Sequence, residues 1–335
     1  MSKKAVVCLN IGTPEGPTTP FVKSYLKEFL LDKRVLDISW ILRQSLVRGA
    51  ILPFRSPKSA EAYASIWTKE GSPLLVESQK FCNKLQDDLG SDYLVKLAMR
   101  YSEPSIKKVL EEVKNFEEII LFPLFPQYAS SSTGSCLEFS LNYFSKQVNV
   151  PAVRVVKSFY KEDSFIEALA KKVQESQMSS SWDHLLMSYH GLPERQVRAS
   201  EFNPKNFCSS DKPCSVDFKK TYCYRKQCYE TSYLLAEKLG INHERYSVSF
   251  QSRLGRDPWI KPYTDLILPK LYKSGVRNLA VMCPAFVADC LETLEEISIR
   301  AREDWMKLGG ESFTFIPCLN DSDLWVQSCI KMIKG

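Results

Sequence analysis

The chain has 335 residues, 44% of them hydrophobic and 25% charged, which is the composition of an ordinary soluble globular protein and excludes fibrous repeats and wholesale disorder. At roughly 150 residues per domain the length gives a prior of about two domains. The net charge of +6 comes from lysine and arginine scattered among aspartate and glutamate, so there is no nucleic-acid footprint, only a mild attraction to anionic surfaces or substrates.

Short apolar or β-branched runs alternate with amphipathic stretches along the whole chain. The runs predict strands at Ala5 to Leu9, Leu94 to Ala98, Ile119 to Phe122, Ala152 to Val156, His184 to Ser188, Tyr246 to Phe250, Leu279 to Cys283 and Phe313 to Ile316. Between them the spacing predicts helices over Ser105 to Lys114, Phe165 to Val173, Thr231 to Leu239 and Cys290 to Lys307; the first carries Ile106, Val109, Leu110 and Val113 on one face. Alternating strand and helix implies parallel sheets with right-handed crossovers. The expected fold class is therefore α/β, with two Rossmann-like units, each a four-stranded parallel sheet flanked by helices.

The boundary is expected after Val156, giving an N-terminal unit over 1–158 and a C-terminal unit over 159–319. A last amphipathic helix, Asp321 to Ile333, is assigned with 320–335 to the first unit. The aperiodic stretch after Glu194 reads as an insertion over 194–228 within the second.

Neither extreme of hydrophobicity is present. The longest nearly unbroken apolar stretch, Leu279 to Ala288, has ten residues, about half of a membrane span. The apolar run after Lys4 is too short for a secretory signal, so a cytoplasmic location is expected. The stretch Ile41 to Phe54 mixes apolar residues with Arg43 and Arg48, followed by Arg55. It reads either as a peripheral membrane lip, on the inner membrane, or as a core-facing helix with a basic face.

Cofactor fingerprints are missing. The 13 glycines form no G-x-G-x-x-G and no G-x-x-x-x-G-K-[ST], so no nucleotide site is expected. No G-x-S-x-G or H-E-x-x-H occurs either.

In open parallel sheets, ligands bind where strands end at their carboxyl edges, which singles out four loops dense in proline, aromatic and polar residues. They begin at Asn10, Pro123, Tyr189 and Pro284. His190, one of three histidines, closes the fifth strand beside Gly191 and Pro193; an imidazole there can accept a proton or a metal ion, though a structural histidine is the competing reading. His184 and His243 lack that context. Glu292 and Glu296, four apart, would project from one helical face and share a proton or cation, or simply be solvated; Glu295 reads as the solvated neighbour. Arg100-Tyr101 closes the second strand and Trp259 follows the sixth, a cation and aromatic faces suited to a flat, acidic ligand.

Six separated segments then resemble ferrochelatase, in that family's order: Leu9-Asn10-Ile11-Gly12-Thr13-Pro14, Arg100-Tyr101-Ser102-Glu103-Pro104, Phe125-Pro126-Gln127-Tyr128 with Ser131-Ser132-Thr133-Gly134, Tyr189-His190-Gly191-Leu192-Pro193, Phe250-Gln251-Ser252-Arg253-Leu254-Gly255 with Pro258-Trp259, and Cys283-Pro284-Ala285-Phe286 with Glu292-Thr293-Leu294-Glu295-Glu296. The resemblance runs from about residue 4 to about residue 333 and leans to the bacterial branch. It implies insertion of Fe(II) into protoporphyrin IX, with release of two protons, in a cleft between two Rossmann-like units. It implies His190 as the catalytic histidine, either taking up protons or passing iron, Glu292 as its acidic partner, both of them as contacts of the substrate Fe(II), and Glu296 as the continuation of an acidic row that carries metal in or protons out. Ile11, Tyr101, Tyr128, Trp259 and Phe286 would contact the macrocycle, while Arg100 would meet a propionate or organise the floor.

Two departures stand out. Cys290 replaces the histidine that animal members place before the glutamate, and Ile11 replaces their methionine. Members acting on coproporphyrin tend to have tyrosine there, so Ile11 favours protoporphyrin. A non-catalytic tetrapyrrole-binding protein and a sirohydrochlorin-type chelatase are the competing functions; the latter are richer in histidine.

Eleven cysteines without an export signal point to thiols, metal ligands or catalytic groups in place of disulfides. Cys208, Cys214, Cys223 and Cys228 supply four thiolates suited to a [2Fe-2S] cluster or a structural zinc, with free thiols as the third reading. No C-x2-C knuckle is present, which speaks against a zinc ribbon. Certain bacterial ferrochelatases resemble this chain in holding four cluster cysteines internally. The oligomeric state has no sequence signal.

Overall fold

The computed structural model describes residues 4–201, 214, 222–253, 255 and 257–335. Packing divides the chain into two units. One comprises Met1–Phe125, Ala129–Ser158 and Asn320–Gly335; the other comprises Pro126–Tyr128 and Phe159–Leu319.

In the first unit the strands are β1 (Lys4–Gly12), β2 (Tyr93–Tyr101), β3 (Glu118–Pro123) and β4 (Ala152–Val155), paired in parallel in the order β2-β1-β3-β4. β1 is buried along nearly its whole length, as a central parallel strand covered on both faces must be. Its helices are α1 (Thr19–Leu31), α2 (Trp40–Leu46), α3 (Leu52–Ile66), α4 (Pro73–Leu89), α5 (Ile106–Val113) and α6 (Ser135–Phe144). α5 buries Ile106, Val109, Leu110 and Val113 against β1 and β3, each burial contributing about 1.5–3 kcal/mol. The sequence reading names no helix at α1, α4 or α6 and touches α2 and the start of α3 only through the alternative helical reading of Ile41 to Phe54; α1, α3 and α4 each carry a proline at the first or second position.

In the second unit β5 (His184–His190), β6 (Tyr246–Gln251), β7 (Asn278–Met282) and β8 (Ser312–Phe315) repeat the pattern, in parallel and in the order β6-β5-β7-β8. The helices are α7 (Asp163–Ser179), α8 (Glu194–Ser200), α9 (Tyr224–Leu239), α10 (Thr264–Lys273), α11 (Leu291–Thr293) and α12 (Arg302–Lys307). A final helix, α13 (Asp323–Lys334), packs on α4 in the first unit and buries Trp325 against Phe81.

All eight expected strands are present, and three helical expectations need correction. The helix expected from Thr231 starts at Tyr224, because its first turns bury Arg225, Gln227 and Glu230 and so show no amphipathic period. The stretch read as an aperiodic insertion contains α8, and its last residues belong to α9. The helix expected over Cys290 to Lys307 is α-helical only at its ends; Leu294–Ala301 is a π-helix, a wide turn often found at functional sites.

Each sheet changes direction next to its first strand: β1 is flanked by β2 and β3, and β5 by β6 and β7. The loops at the carboxyl ends of these strands are therefore the topological switch points where such folds bind ligands.

Candidate active site

His190 is the last residue of β5, in register with Gln251 of β6. Its Nδ1 lies 2.6 Å from the Gly191 carbonyl oxygen. A carbonyl only accepts, so in the neutral ring Nδ1 carries the proton and Nε2 presents its lone pair. The Tyr224 hydroxyl donates to the His190 carbonyl at 2.9 Å, tying the strand end to α9. The ring is flanked by Trp259, with centroids 6.5 Å apart, and by Phe286 at 6.3 Å.

Backbone pairing brings the Trp259 loop to this place. Glu194 N–H donates to the Pro258 carbonyl at 2.9 Å and Ile260 N–H to that of Leu192 at 3.0 Å. Gly191 is required at the crossing, since a Cβ there would come within 2.7 Å of the Gln251 carbonyl oxygen.

The acidic pair lies along the opening of the π-helix. The four-residue spacing of Glu292 and Glu296 therefore does not correspond to one regular α-turn, as expected from sequence. Cys290 caps this segment: its thiol accepts from Thr293 N–H, and the Thr293 hydroxyl accepts from Cys290 N–H at 3.0 Å. Asp289 in turn accepts from the Thr293 hydroxyl at 3.0 Å and from Cys318 N–H at 3.2 Å. Burial, then the neighbouring Glu292 carboxylate, push the Cys290 thiol well up, so it stays protonated. Glu295 is not a solvated residue: its side chain is 15% exposed and pairs with Arg300 at 2.8 Å. Glu296 accepts from Ser252 N–H at 2.8 Å and from the Ser252 hydroxyl.

Among the other expected residues, Ile11 is half-buried near the end of β1, and Tyr128 is half-buried with its N–H donating to Gln227 at 2.8 Å. Tyr101, expected to touch a macrocycle, is 2% exposed, with its hydroxyl donating to Asp32 at 2.9 Å and its ring against Phe29. Arg100, expected at a propionate or in the floor, spends its guanidinium on Asp32 at 2.8 Å and on the Ser135 hydroxyl, also at 2.8 Å. Burial raises the Asp32 carboxyl, but hydrogen bonds from Ser135, Arg34 N–H and Tyr101 and the Arg100 charge outweigh it and hold the carboxyl below its ordinary value. His184 is buried, bonded to the Ser247 hydroxyl at 2.8 Å, and pushed down to about 4 chiefly by burial.

Thus His190, Trp259 and Phe286 come together, and Glu292 and Glu296 share the partner Gln251; Arg100 and Tyr101 converge on Asp32 in the other unit. Sequence reasoning missed Asp32, Ser135, Tyr224 and the roles of Gln251 and Ser252. Gln251 and Ser252 lie inside a quoted motif, whereas nothing in the sequence marks Asp32.

Of the four clustered cysteines, Cys208 lies outside the described residues. Cys214 accepts from the Arg225 guanidinium at 2.7 Å, and Cys223 and Cys228 lie at the start of α9, Cys228 buried. Burial, reinforced by the Glu201 charge and then by Cys214, raises Cys223 to about 12, and burial, reinforced by Cys223 and Cys214, raises Cys228 well above its ordinary value. Among the described residues no group of three or more histidine, cysteine, aspartate or glutamate side chains is arranged to hold a metal ion.

A family model described as Ferrochelatase matches residues 3–335. A ferrochelatase of Legionella pneumophila (strain Paris) is 47% identical over 335 residues, covering 99% of both chains. One of Coxiella burnetii (strain Dugway 5J108-111) is 42% identical over 342 residues, covering 99% of this chain and 94% of that protein. Among solved structures, SirB from Bacillus subtilis with Fe3+ aligns with a TM-score of 0.58 at 10% identity, covering 99% of this chain and 94% of that one. CbiX, the terminal enzyme of siroheme biosynthesis in denitrifying bacteria, gives 0.50 at 10% identity, with 99% and 98% covered. These last two are likenesses of fold.

Proposed function

The chain belongs to the ferrochelatase family, and from that premise we propose that His190 is the group that takes up protons as the metal enters the ring. The reaction inserts Fe(II) into a porphyrin: two N–H bonds break, two protons leave, and the ring nitrogens bind the ion with no change in oxidation state. The enzyme is a lyase that makes haem. Neither the non-catalytic reading nor the sirohydrochlorin reading is favoured, since the Legionella and Coxiella relatives, 47% and 42% identical, are ferrochelatases.

The observation that carries the assignment is the Nδ1 contact with the Gly191 carbonyl, which leaves Nε2 to accept a proton. Trp259 and Phe286 supply apolar rings beside the imidazole. Glu292 and Glu296 supply carboxylates to accept the protons in turn or to pass the divalent ion. Ile11 and Tyr128 are assigned as further macrocycle contacts, and Ile11 supports protoporphyrin over coproporphyrin. Arg100 and Tyr101 act as framework, because their polar atoms are engaged by Asp32. The test is anaerobic incubation of the purified protein with Fe(II) and either porphyrin: protohaem should form faster than coprohaem, and failure to metallate either would overturn the reading.

Two finer assignments accompany it. Cys208, Cys214, Cys223 and Cys228 are assigned to a [2Fe-2S] cluster of structural or sensory role. Soft thiolates suit it, and the Arg225 guanidinium at Cys214 offsets thiolate charge. The stretch from α2 into α3 is assigned as a peripheral contact with the cytoplasmic face of the membrane. Trp40, Ile41, Leu42 and Phe54 are each more than 60% exposed beside the exposed Arg48. Arg43, counted in this basic face from sequence, is buried and bonds the Leu36 and Ile38 carbonyls. Among the described residues no helix is long and apolar enough to cross a membrane.

A further inference from the structure

Gln251 occupies the position in β6 that pairs with His190, and its carbonyl accepts from Gly191 N–H at 2.8 Å. Its side chain, in a residue only 3% exposed, reaches the other way. The Oε1 accepts from the Ser188 hydroxyl at 2.7 Å, which fixes the amide so that Nε2 donates to the Glu292 carbonyl at 2.8 Å and lies 3.4 Å from the Glu296 carboxylate. The next residue completes the contact: Ser252 donates its N–H to one oxygen of Glu296 and its hydroxyl to the other.

Ser252 does this from φ +65°, the left-handed region that costs an L-residue steric energy and that glycine would occupy freely. A serine held there supplies what glycine lacks, the hydroxyl. The element it bonds is also unusual, because Glu296 lies on a π-helix, which does not set its side chains by the regular α-turn, while Glu292 lies on the short turn Leu291–Thr293 just before it.

We propose that Gln251 and Ser252 are positioning residues that hold the Glu292–Glu296 row at a fixed offset from His190, with Ser252 orienting the Glu296 carboxylate to receive the incoming divalent ion. This rests on the reading of that row given above. Oε1 of Glu296, which accepts from Ser252 N–H, keeps a second lone-pair site for a cation, whereas Oε2 accepts from both the Ser252 hydroxyl and the Gln251 amide.

The test uses the whole enzyme with Zn(II) and protoporphyrin, comparing Ser252→Gly, Ser252→Ala, Gln251→Glu and Glu296→Gln with the parent. Ser252→Gly should melt at or above the parent temperature, since glycine relieves the backbone. Its KM for Zn(II) should nevertheless rise about tenfold, as expected for loss of a hydrogen bond to a charged group, while KM for protoporphyrin stays within about twofold. Ser252→Ala should show the same KM split with a lower melting temperature. Gln251→Glu, which lacks the N–H donors, should raise KM for Zn(II) without moving that for porphyrin. Combining Ser252→Gly with Glu296→Gln should add little to Glu296→Gln alone. If Glu296→Gln raises the KM for Zn(II) but Ser252→Gly does not, the positioning proposal is overturned and the acidic-row reading stands. If Glu296→Gln itself changes nothing, the acidic-row reading fails, and the proposal with it.

Discussion

The Asp32 carboxylate receives the Arg100 guanidinium at 2.8 Å, with both side chains largely withdrawn from solvent. Arg100 lies at the carboxyl end of β2 and Asp32 immediately follows α1, so the pair fixes a helix end to a strand end. A flat acidic ligand would otherwise have been the obvious partner for this arginine.

Asp32→Asn should leave Arg100 without its counter-charge and cost about 3–5 kcal/mol at pH 7, measured by urea unfolding. The Asp32 carboxyl is held below its ordinary value in the folded protein. Its contribution is therefore complete above the unfolded value and is lost as pH falls through the lower, folded one. The gap between parent and variant should begin to close only as pH falls below about 4, and should vanish below the folded value. A gap that is independent of pH, or no gap at neutral pH, would contradict the ion-pair account.

The purified protein should be reddish, with the visible absorption of a [2Fe-2S] centre, and Cys223→Ser should remove the colour. A colourless protein carrying one zinc per chain would transfer the four cysteines to a zinc site.

Anionic vesicles should co-sediment the protein in a salt-sensitive way. A Trp40→Ser, Phe54→Ser variant should lose most of that binding without a change in melting temperature, since both side chains are exposed. Binding that survives both substitutions would place the contact elsewhere.

The strands were legible because each is a short, nearly continuous apolar run, and β1 and β5 are buried along almost their full length. His190 was legible because it stands at the end of such a run, between tyrosine and glycine. The helix α9 was half-visible, since burial of Arg225, Gln227 and Glu230 erases the contrast between faces on which periodicity depends. The π-helix from Leu294 was invisible for another reason: Glu292 and Glu296 bond Gln251 and Ser252, more than 40 residues away, and no local spacing encodes such contacts. Asp32 was missed likewise, because its partners Arg100, Tyr101 and Ser135 are distant in sequence.

The most direct test of the account is metal insertion by His190→Ala, with circular dichroism and thermal melting as controls for folding. The account predicts a folded protein that still binds protoporphyrin but metallates it at least about 100-fold more slowly, the loss expected when a positioned proton acceptor is removed. A folded variant that inserts Fe(II) at the parent rate would contradict it.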